Sequence, residues 1–530
     1  MEINYRRAKS RVDVYAFIAA VVLLILSFFT ETVFSDNIES YKGYVSSKVL
    51  YFFVSYIIAR FLISFFKEIK SPFYMMWTRN LLFILVPLLI WLFLSWPGVF
   101  TWDEFWIFEA ATHFSIVNWH SYITSYFYII SMYFFPSVGA IVFFQIVIMS
   151  FTCSWIITNL QLKFNIKIIR YLLILFLVIW PPIIFSTLMT FRSTMLANFE
   201  LWLIGYIYFA SSAKTLTRGK LLILGFLTVI LSTWRTEGIY HVLIIPLFLF
   251  MVYKNEGMGK KVLYFTASVI IGVLIVSRGY DLIKQDDYQK MKYELTAYMN
   301  PISIILTDKN VDITNINLDV MDKVIDIEKT KAEAYFYETP SFWNGAVREG
   351  FTKKEFSAFK KEYIKLAALN ADSFLSARTR TFVAASGFSP QAYYVNDYIN
   401  NYINTKPENK AAELLLSKPM NYPINLEIRQ LVMDYLDFSK SKLATLNFTM
   451  LFWNFIPIIL LLFIIICRTA SFKDPIFWMT LICLGRIPIL FLTEPGSYFM
   501  YYYPTYLAGI FVIIIYLLDR TKARKEGLSG

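Results

Sequence analysis

Two adjacent carboxylates, Asp103 and Glu104, stand among aromatic residues in the segment PGVFTWDEFWIFEAATHFSIVNWH, directly after a long apolar run. A carboxylate at the edge of an apolar region is a candidate for an altered pKa, and such a group can act as a general base or bind a cation. Thr101 and Glu104 also fit the S/T-x-x-E capping box of a helix N-terminus. Neighbouring helical residues point about 100° apart. We therefore expect Glu104 to cap the helix, with a second catalytic role left open, and Asp103 to act as base or metal ligand.

Arginines near the ends of other apolar runs could supply the opposite charge. A guanidinium can bind two oxygens of a phosphate and stabilise the negative charge that a departing phosphate gains. Arg192, Arg235 and Arg278 are therefore candidates for phosphate binding, and Glu237, beside Arg235, is a candidate substrate-binding residue. The alternative for Arg192 is an interfacial anchor. Glu237 follows Arg235 closely, and the two could instead form an ion pair that holds a turn.

Three further ionisable residues lie in or next to apolar runs. Arg486 and Glu200 fall inside such runs, where a charge needs a buried partner or a wet cavity, and the two could pair with each other. Glu494 precedes the tyrosines of GSYFMYYYP, a cluster typical of the aromatic belt at a membrane interface. We treat Arg486 and Glu494 as candidate substrate-binding residues and interpret Tyr501 to Tyr503 as part of the belt.

The composition is that of an integral membrane protein. Hydrophobic residues make up 57% of the 530-residue chain, charged residues make up 17%, and the mean hydropathy is +0.53. Repeated apolar runs are long enough for helices that cross a hydrocarbon core of about 30 Å. The predicted fold is an all-α, multi-pass membrane protein with about twelve spans. The predicted spans are residues 14–34, 49–66, 80–96, 137–158, 171–187, 194–211, 221–235, 238–253, 262–278, 446–467, 475–493 and 499–518.

Lysine and arginine are concentrated in alternate connections between these runs, as expected for loops on the cytoplasmic side. The N-terminal MEINYRRAKSR and the C-terminal TKARKEG belong to this basic set, whereas no cation occurs between Trp96 and Pro136. The pattern predicts a plasma-membrane protein with both termini cytoplasmic and the Asp103 segment outside. The net charge of +12 is then a topology signal and does not indicate nucleic-acid binding.

The chain divides into three predicted regions. Residues 1–278 form an N-terminal membrane module with a catalytic outer loop at 97–136, residues 279–445 form an extracytoplasmic domain of helical or mixed structure, and residues 446–530 supply the last membrane helices and a basic tail. Arg378 and Arg380 in the outer domain are alternative phosphate ligands. Motifs for nucleotide hydrolysis and zinc binding are absent from the sequence.

A multispan chain with acidic residues in its first large outer loop, followed by interfacial apolar helices, resembles the GT-C glycosyltransferases. The segment PGVFTWDEFWIFEAATHFSIVNWH is similar to that of bacterial GT-C-like proteins that have PG, an acidic residue and then WHP, which is WHS here. The resemblance implies that Asp103 is the catalytic carboxylate, with Glu104 beside it and His120 as a site residue.

The resemblance implies transfer of a sugar, with inversion, from a polyprenyl-phosphate carrier to a cell-envelope polysaccharide or glycolipid on the outer face. A divalent cation, Mg²⁺ or Mn²⁺, is the cofactor that Asp103 could bind. A Wzy-type polysaccharide polymerase or ligase, also multispan with a large outer loop and functional arginines, is the main alternative. A flippase or transporter is a weaker one, since the sequence has no evident repeat and no clear pair of Gly/Pro-broken helices.

Overall fold

The computed structural model is almost entirely helical. It describes residues 2–117, 120–211, 216–253, 258–283, 287–388, 399, 402–403, 410–443, 446–469 and 471–527. Within these residues the strands are β1 (Lys442–Leu443) and β2 (Leu446–Asn447), which pair antiparallel with Leu443 opposite Leu446. The first twelve helices are α1 (Glu2–Phe34), α2 (Tyr41–Glu68), α3 (Pro72–Leu94), α4 (Trp102–Thr112), α5 (Tyr122–Phe134), α6 (Gly139–Phe164), α7 (Lys167–Ile179), α8 (Pro181–Leu188), α9 (Arg192–Ser211), α10 (Arg218–Trp234), α11 (His241–Val252) and α12 (Met258–Ile283).

Two further groups of helices complete the fold. The first group, which we name the cap, consists of α13 (Asp287–Glu294), α14 (Thr296–Thr307), α15 (Leu318–Asp322), α16 (Ile327–Ala332), α17 (Pro340–Trp343), α18 (Lys353–Leu369) and α19 (Ala371–Val383). The second group consists of α20 (Lys410–Ser417), α21 (Leu426–Phe438), α22 (Phe448–Phe452), α23 (Ile456–Arg468), α24 (Pro475–Gly485), α25 (Ile487–Thr493) and α26 (Tyr503–Lys525).

Seven helical stretches in the described chain are long and apolar enough to cross a membrane. They are Arg11–Phe34, Tyr41–Glu68, Pro72–Leu94, Gly139–Phe164, Gly259–Gly279, Phe448–Arg468 and Pro475–Thr493. An eighth span results if α7 and α8, which meet at a bend of 54°, are counted as one broken helix. The predicted helical membrane fold is thus confirmed, but the count of twelve is not. The bend also corrects the expectation that no helix pair is broken: Trp180 precedes Pro181 and Pro182, and proline cannot continue the helix from α7.

The remaining four predicted spans are also helical but differ in length or polarity. Helices α10 and α11 have 17 and 12 residues, at or below the shortest usual span. Helix α9 carries Asn198 and Glu200, and α26 ends in a charged tail. Helix α9 tolerates these polar groups because it packs among α6, α10 and α26 at the centre of the bundle, where most of its side chains are buried away from lipid.

The cap has an apolar core of its own, separate from that of the membrane helices. Leu295, Met299 and Ile302 of the N-terminal cap helices pack there with Phe356 and Phe359 of α18. The cap contacts the membrane part through the segment between α25 and α26, which we name loop 494–501. Hydrogen bonds join the Ser497 amide to the Tyr337 carbonyl at 2.9 Å and the Thr339 hydroxyl to the Pro495 carbonyl at 2.7 Å.

The C-terminal part of the predicted outer domain contacts the membrane helices instead of the cap. Trp96 donates from Nε1 to the Met420 carbonyl at 2.9 Å, and the Val138 amide donates to Asn421 Oδ1 at 3.0 Å. Arg429, which is fully buried, donates to the carbonyls of Ser95 and Trp96. Within residues 287–443, the described part of the chain therefore comprises the cap and a second segment that supports the chain just before Asp103.

Arg378 and Arg380 allow a direct test of what holds the cap in place. Arg378 is fully buried and donates to the Glu494 carbonyl at 2.7 Å and to Asn300 Oδ1, whereas Arg380 is exposed and lies over the Phe336 ring. Arg378→Met leaves two buried acceptors unpaired and should lower the free energy of unfolding by about 3 kcal/mol. Arg380→Met should change it little. Thermal melting of both variants in detergent would measure the difference, and equal melting temperatures would contradict this role of Arg378.

Candidate active site

A small pocket lies where the start of α4 meets the start of α9, the cap and loop 494–501. Its volume is about 20 Å³, which is about enough for one water molecule. Five of the residues singled out in the sequence, from segments far apart in the chain, line this one pocket. The lining residues are Asp103, Glu104, Ile107, His120, Thr190, Phe191, Arg192, Arg235, Tyr293, Met500 and Tyr501.

Glu104 closes the N-terminus of α4, as the capping-box motif predicts. Its Oε2 atom accepts hydrogen bonds from the Thr101 amide at 3.1 Å and from the Thr101 hydroxyl. The side chain is fully buried, and burial together with the nearby charge of Asp103 raises its pKa to about 8. Glu104 is therefore mainly protonated at neutral pH, so its structural role does not require a negative charge.

Asp103, one residue earlier, points toward the pocket and retains 22% exposure of its side chain. Burial raises the pKa of Asp103, while the nearby Arg192 and Arg235 oppose that shift. His120 Nε2 lies 3.8 Å from Asp103 Oδ2, which is beyond hydrogen-bond distance. Burial and the same two arginines lower the pKa of His120 well below its ordinary value. The imidazole is therefore neutral, and the carboxyl group of Asp103 is the candidate base that faces the two arginines.

Arg192 is placed by the turn between α8 and α9. Gln145 Nε2 donates to the carbonyls of Thr187 at 2.7 Å and Met189 at 2.6 Å, which fixes that turn. Trp234 Nε1 donates to the Arg192 carbonyl at 2.9 Å and links the first residue of α9 to the end of α10. The side chain of Arg192 therefore projects from a supported helix N-terminus, where the helix dipole also favours an anion.

Arg235 follows α10 and has both an anionic and an aromatic neighbour. Its guanidinium forms an ion pair with Glu237, in which both side chains are nearly buried. The guanidinium carbon lies 5.1 Å from the ring centroid of Tyr501. The ion-pair alternative for Arg235 and Glu237 is thus present, yet Arg235 still lines the pocket. Glu237 holds the Arg235 guanidinium through this ion pair but does not itself line the pocket.

Two tyrosines complete the pocket, and neither was assigned to it from the sequence. Tyr293 comes from α13 of the cap and interacts with Arg192, and burial raises the pKa of its hydroxyl. Tyr501 belongs to the cluster interpreted as a membrane belt, but it is buried against Arg235. Tyr293 carries no local sequence signal, because its place in the pocket depends on how the cap docks.

The other predicted site residues lie elsewhere. Arg278 is exposed on α12 and is not among the lining residues. Arg486 and Glu200, both fully buried, pair with each other at 2.8 Å, which is the alternative that their positions suggested. The Glu494 carboxylate accepts a hydrogen bond from the Tyr502 hydroxyl at 2.7 Å and supports loop 494–501 without lining the pocket.

The pocket offers few ligands for a divalent cation. Asp103 and His120 are potential donors, but Glu104 is mainly protonated, and Arg192 and Arg235 repel a cation. Within the described residues, no group of three His, Cys, Asp or Glu side chains is arranged to hold a metal. The residues present thus fit an anionic ligand better than Mg²⁺ or Mn²⁺.

The raised pKa of Glu104 has a consequence for stability. Between about pH 4.5 and about pH 8 the folded protein keeps a proton that the unfolded chain loses, so this group makes stability fall as pH rises through that window. Glu104→Gln removes this contribution and should flatten the dependence of the melting temperature on pH. Glu355→Gln is the matched control, because Glu355 closes the solvent-exposed Thr352 capping box and hydrogen bonds lower its pKa instead of raising it. Equal slopes in Glu104→Gln and wild type would show that Glu104 is ionised.

Comparisons of the chain with protein-family models, curated proteins and solved structures give no match. The basis for assigning a function is therefore the pocket itself, with its carboxylate, its two guanidinium groups and its position at one end of the apolar helices.

Proposed function

We propose that the protein is a membrane glycosyltransferase that takes a sugar from a polyprenyl-phosphate carrier and transfers it to a cell-envelope polysaccharide or glycolipid. The observation that carries the proposal is the convergence of Asp103, Arg192 and Arg235 on one buried pocket at the end of the membrane helices. A sugar phosphate needs a base for the attacking hydroxyl and cations for the departing phosphate, and the pocket supplies both.

In the proposed reaction, Asp103 removes the proton from an acceptor hydroxyl. The acceptor oxygen then attacks the anomeric carbon, while the bond from that carbon to the carrier phosphate oxygen breaks and its electron pair remains on the phosphate. Attack opposite the leaving group inverts the configuration. Arg192 and Arg235 stabilise the phosphate charge, and the raised pKa of Asp103 makes it a stronger proton acceptor than an ordinary carboxylate.

The membrane placement of the pocket fits a lipid-linked donor. The pocket follows the C-terminal end of α3, whereas the basic residues Lys67, Lys70 and Arg79 lie at the opposite end of that helix. With the basic loops in the cytoplasm, both termini are cytoplasmic and the pocket opens toward the outer face of the plasma membrane. The carrier's hydrocarbon chain would then remain in the bilayer while its phosphate reaches the arginines.

Transport is the second candidate, and one feature favours it. The break between α7 and α8 leads directly into the turn that carries Thr190, Phe191 and Arg192, and broken helices often line substrate sites in transporters. A Wzy-type polymerase or ligase would use the same arginines without depending on Asp103. Dependence of sugar transfer on Asp103 therefore separates the proposed glycosyltransferase from the polymerase.

Asp103→Asn preserves the size of the side chain but cannot accept the acceptor proton. Sugar transfer from a polyprenyl-phosphate donor by purified protein should fall by a factor on the order of 10² to 10⁴. Glu104→Gln is the matched control and should keep most of the activity, because glutamine also closes a capping box. Because no metal takes part in the proposed step, a chelator should have little effect. Near-wild-type turnover of Asp103→Asn would overturn the proposed chemistry and favour the polymerase, whereas no sugar transfer by the wild-type protein would favour the transporter.

Arg192→Lys and Arg235→Lys keep the positive charge but lose the planar fork that binds two phosphate oxygens. Each variant should lower kcat/KM for the lipid-phosphate donor by about tenfold or more, since a hydrogen bond to a charged group contributes about 1.5–3 kcal/mol. Arg278→Lys, at an exposed position outside the pocket, is the control and should retain wild-type kinetics. If both pocket variants match the Arg278→Lys enzyme, the phosphate binds elsewhere.

A further inference from the structure

Helix α21 presents three different faces, of which one is buried against protein and two are largely exposed. Arg429, Val432, Met433 and Leu436 form the buried face against the ends of the membrane helices. The two remaining faces are open, and their side chains differ sharply in polarity. Such a division is typical of a helix that meets protein, water and lipid at once.

The open side chains of α21 form two parallel stripes at helical spacing. Glu427, Gln430, Asp434 and Asp437 form a polar stripe of exposed residues. Beside it, Ile428, Leu431, Tyr435 and Phe438 form an apolar stripe, in which the exposure of Leu431 reaches 68%. Leucine side chains that open to water normally occur singly, so this continuous row indicates an apolar partner.

Tyr435 shows which way the apolar stripe faces. Its ring stacks on Trp91 with the centroids 5.4 Å apart and the planes at 15°, and its hydroxyl donates to the Ile179 carbonyl. Trp91 and Ile179 belong to the last turns of α3 and α7. Ile179 is itself exposed, and α3 and the α7–α8 pair are both apolar enough to cross a membrane. The stripe is thus continuous with the surface that faces lipid.

The hairpin after α21 extends the same kind of surface. Leu443 and Leu446 face each other across the two strands and are 63% and 61% exposed. The chain then enters α22 and the membrane span that begins at Phe448. A segment that lies between a membrane span and the ends of two membrane helices is at the depth of the bilayer surface.

We propose that α21 and the β1–β2 hairpin lie in the headgroup region of the bilayer, with Leu431, Phe438, Leu443 and Leu446 in contact with the acyl chains. The polar stripe of α21 is acidic, so burial of apolar surface, and not attraction to anionic lipid, holds the helix there, whereas Lys442 is the exposed cation of the hairpin. Because Arg429 binds the carbonyls of Ser95 and Trp96, the segment connects the bilayer surface to the chain that leads into Asp103. The inference does not depend on the proposed enzymatic function.

Spin labels on the two stripes test this placement in the full-length protein. Single cysteines are introduced at Leu431 and Phe438, and at Gln430 and Asp434 as matched controls on the same helix. The background is Cys467→Ser, since Cys467 is exposed while Cys153 and Cys483 are buried. Collision of each label with oxygen, which dissolves in hydrocarbon, and with a water-soluble nickel chelate is measured in phosphatidylcholine vesicles, with and without phosphatidylglycerol.

The apolar pair should show a ratio of oxygen to nickel collision several times that of the polar pair, and phosphatidylglycerol should not change it. Equal ratios at all four positions would place the apolar stripe in water and overturn the proposal. Low collision with both reagents at Leu431 and Phe438 would mean that protein, such as a second copy of the chain, covers the stripe. Labels at Leu443 and Leu446 give an independent reading should a variant on α21 fail to fold.

Discussion

The pocket brings one carboxylate and two guanidinium groups together where little water can screen them, and the rest of the site is arranged around that constraint. Charges in such a place are stable only when opposite charges lie close. Arg235 is balanced by Glu237, and Arg192 and Arg235 together favour the ionised form of Asp103. Glu104, which also borders the pocket but accepts its hydrogen bonds from Thr101, responds to the same environment by holding its proton. Two neighbouring carboxyl groups thus differ in what opposes their burial: arginines lower the pKa of Asp103, whereas the charge of Asp103 raises the pKa of Glu104 further.

Pairing of opposite charges also explains how α9, which carries a buried glutamate, can run through the centre of the bundle. Glu200 on this helix meets Arg486, which lies between α24 and α25, and neither side chain has any exposed surface. Near this junction the Tyr240 hydroxyl donates to the Ile482 carbonyl at 2.8 Å. The pair therefore joins the helix that positions Arg192 to the helix that precedes loop 494–501. Charged residues inside the apolar bundle hold together the elements that carry the pocket.

Sequence reasoning identified the ionisable part of the pocket but only part of its surroundings. Asp103, Arg192 and Arg235 were recognisable because each charged residue stands at the end of an apolar run, and such ends come together at one membrane surface. The same rule selected Arg278, which is exposed and does not line the pocket, because the position of a residue along a helix does not fix its direction around the helix axis. Tyr293 could not be found, since its place depends on contacts between the cap and loop 494–501. Apolarity alone also predicted twelve equivalent membrane spans. The structure distinguishes them, because α9 is buried among neighbouring helices and α10 and α11 are short.

The size of the pocket determines what must move before a ligand can enter it. Its volume of about 20 Å³ is much smaller than a sugar ring, so a ligand of that size reaches Asp103 only after lining side chains, such as Tyr293 or Tyr501, have moved. Tyr293 belongs to the cap and Tyr501 to the loop that the cap holds, so displacing either one strains the contacts of Ser497 and Thr339. Opening and reclosing of this junction, on the time scale of domain motions rather than of bond cleavage, is then part of each exchange of one such ligand for another.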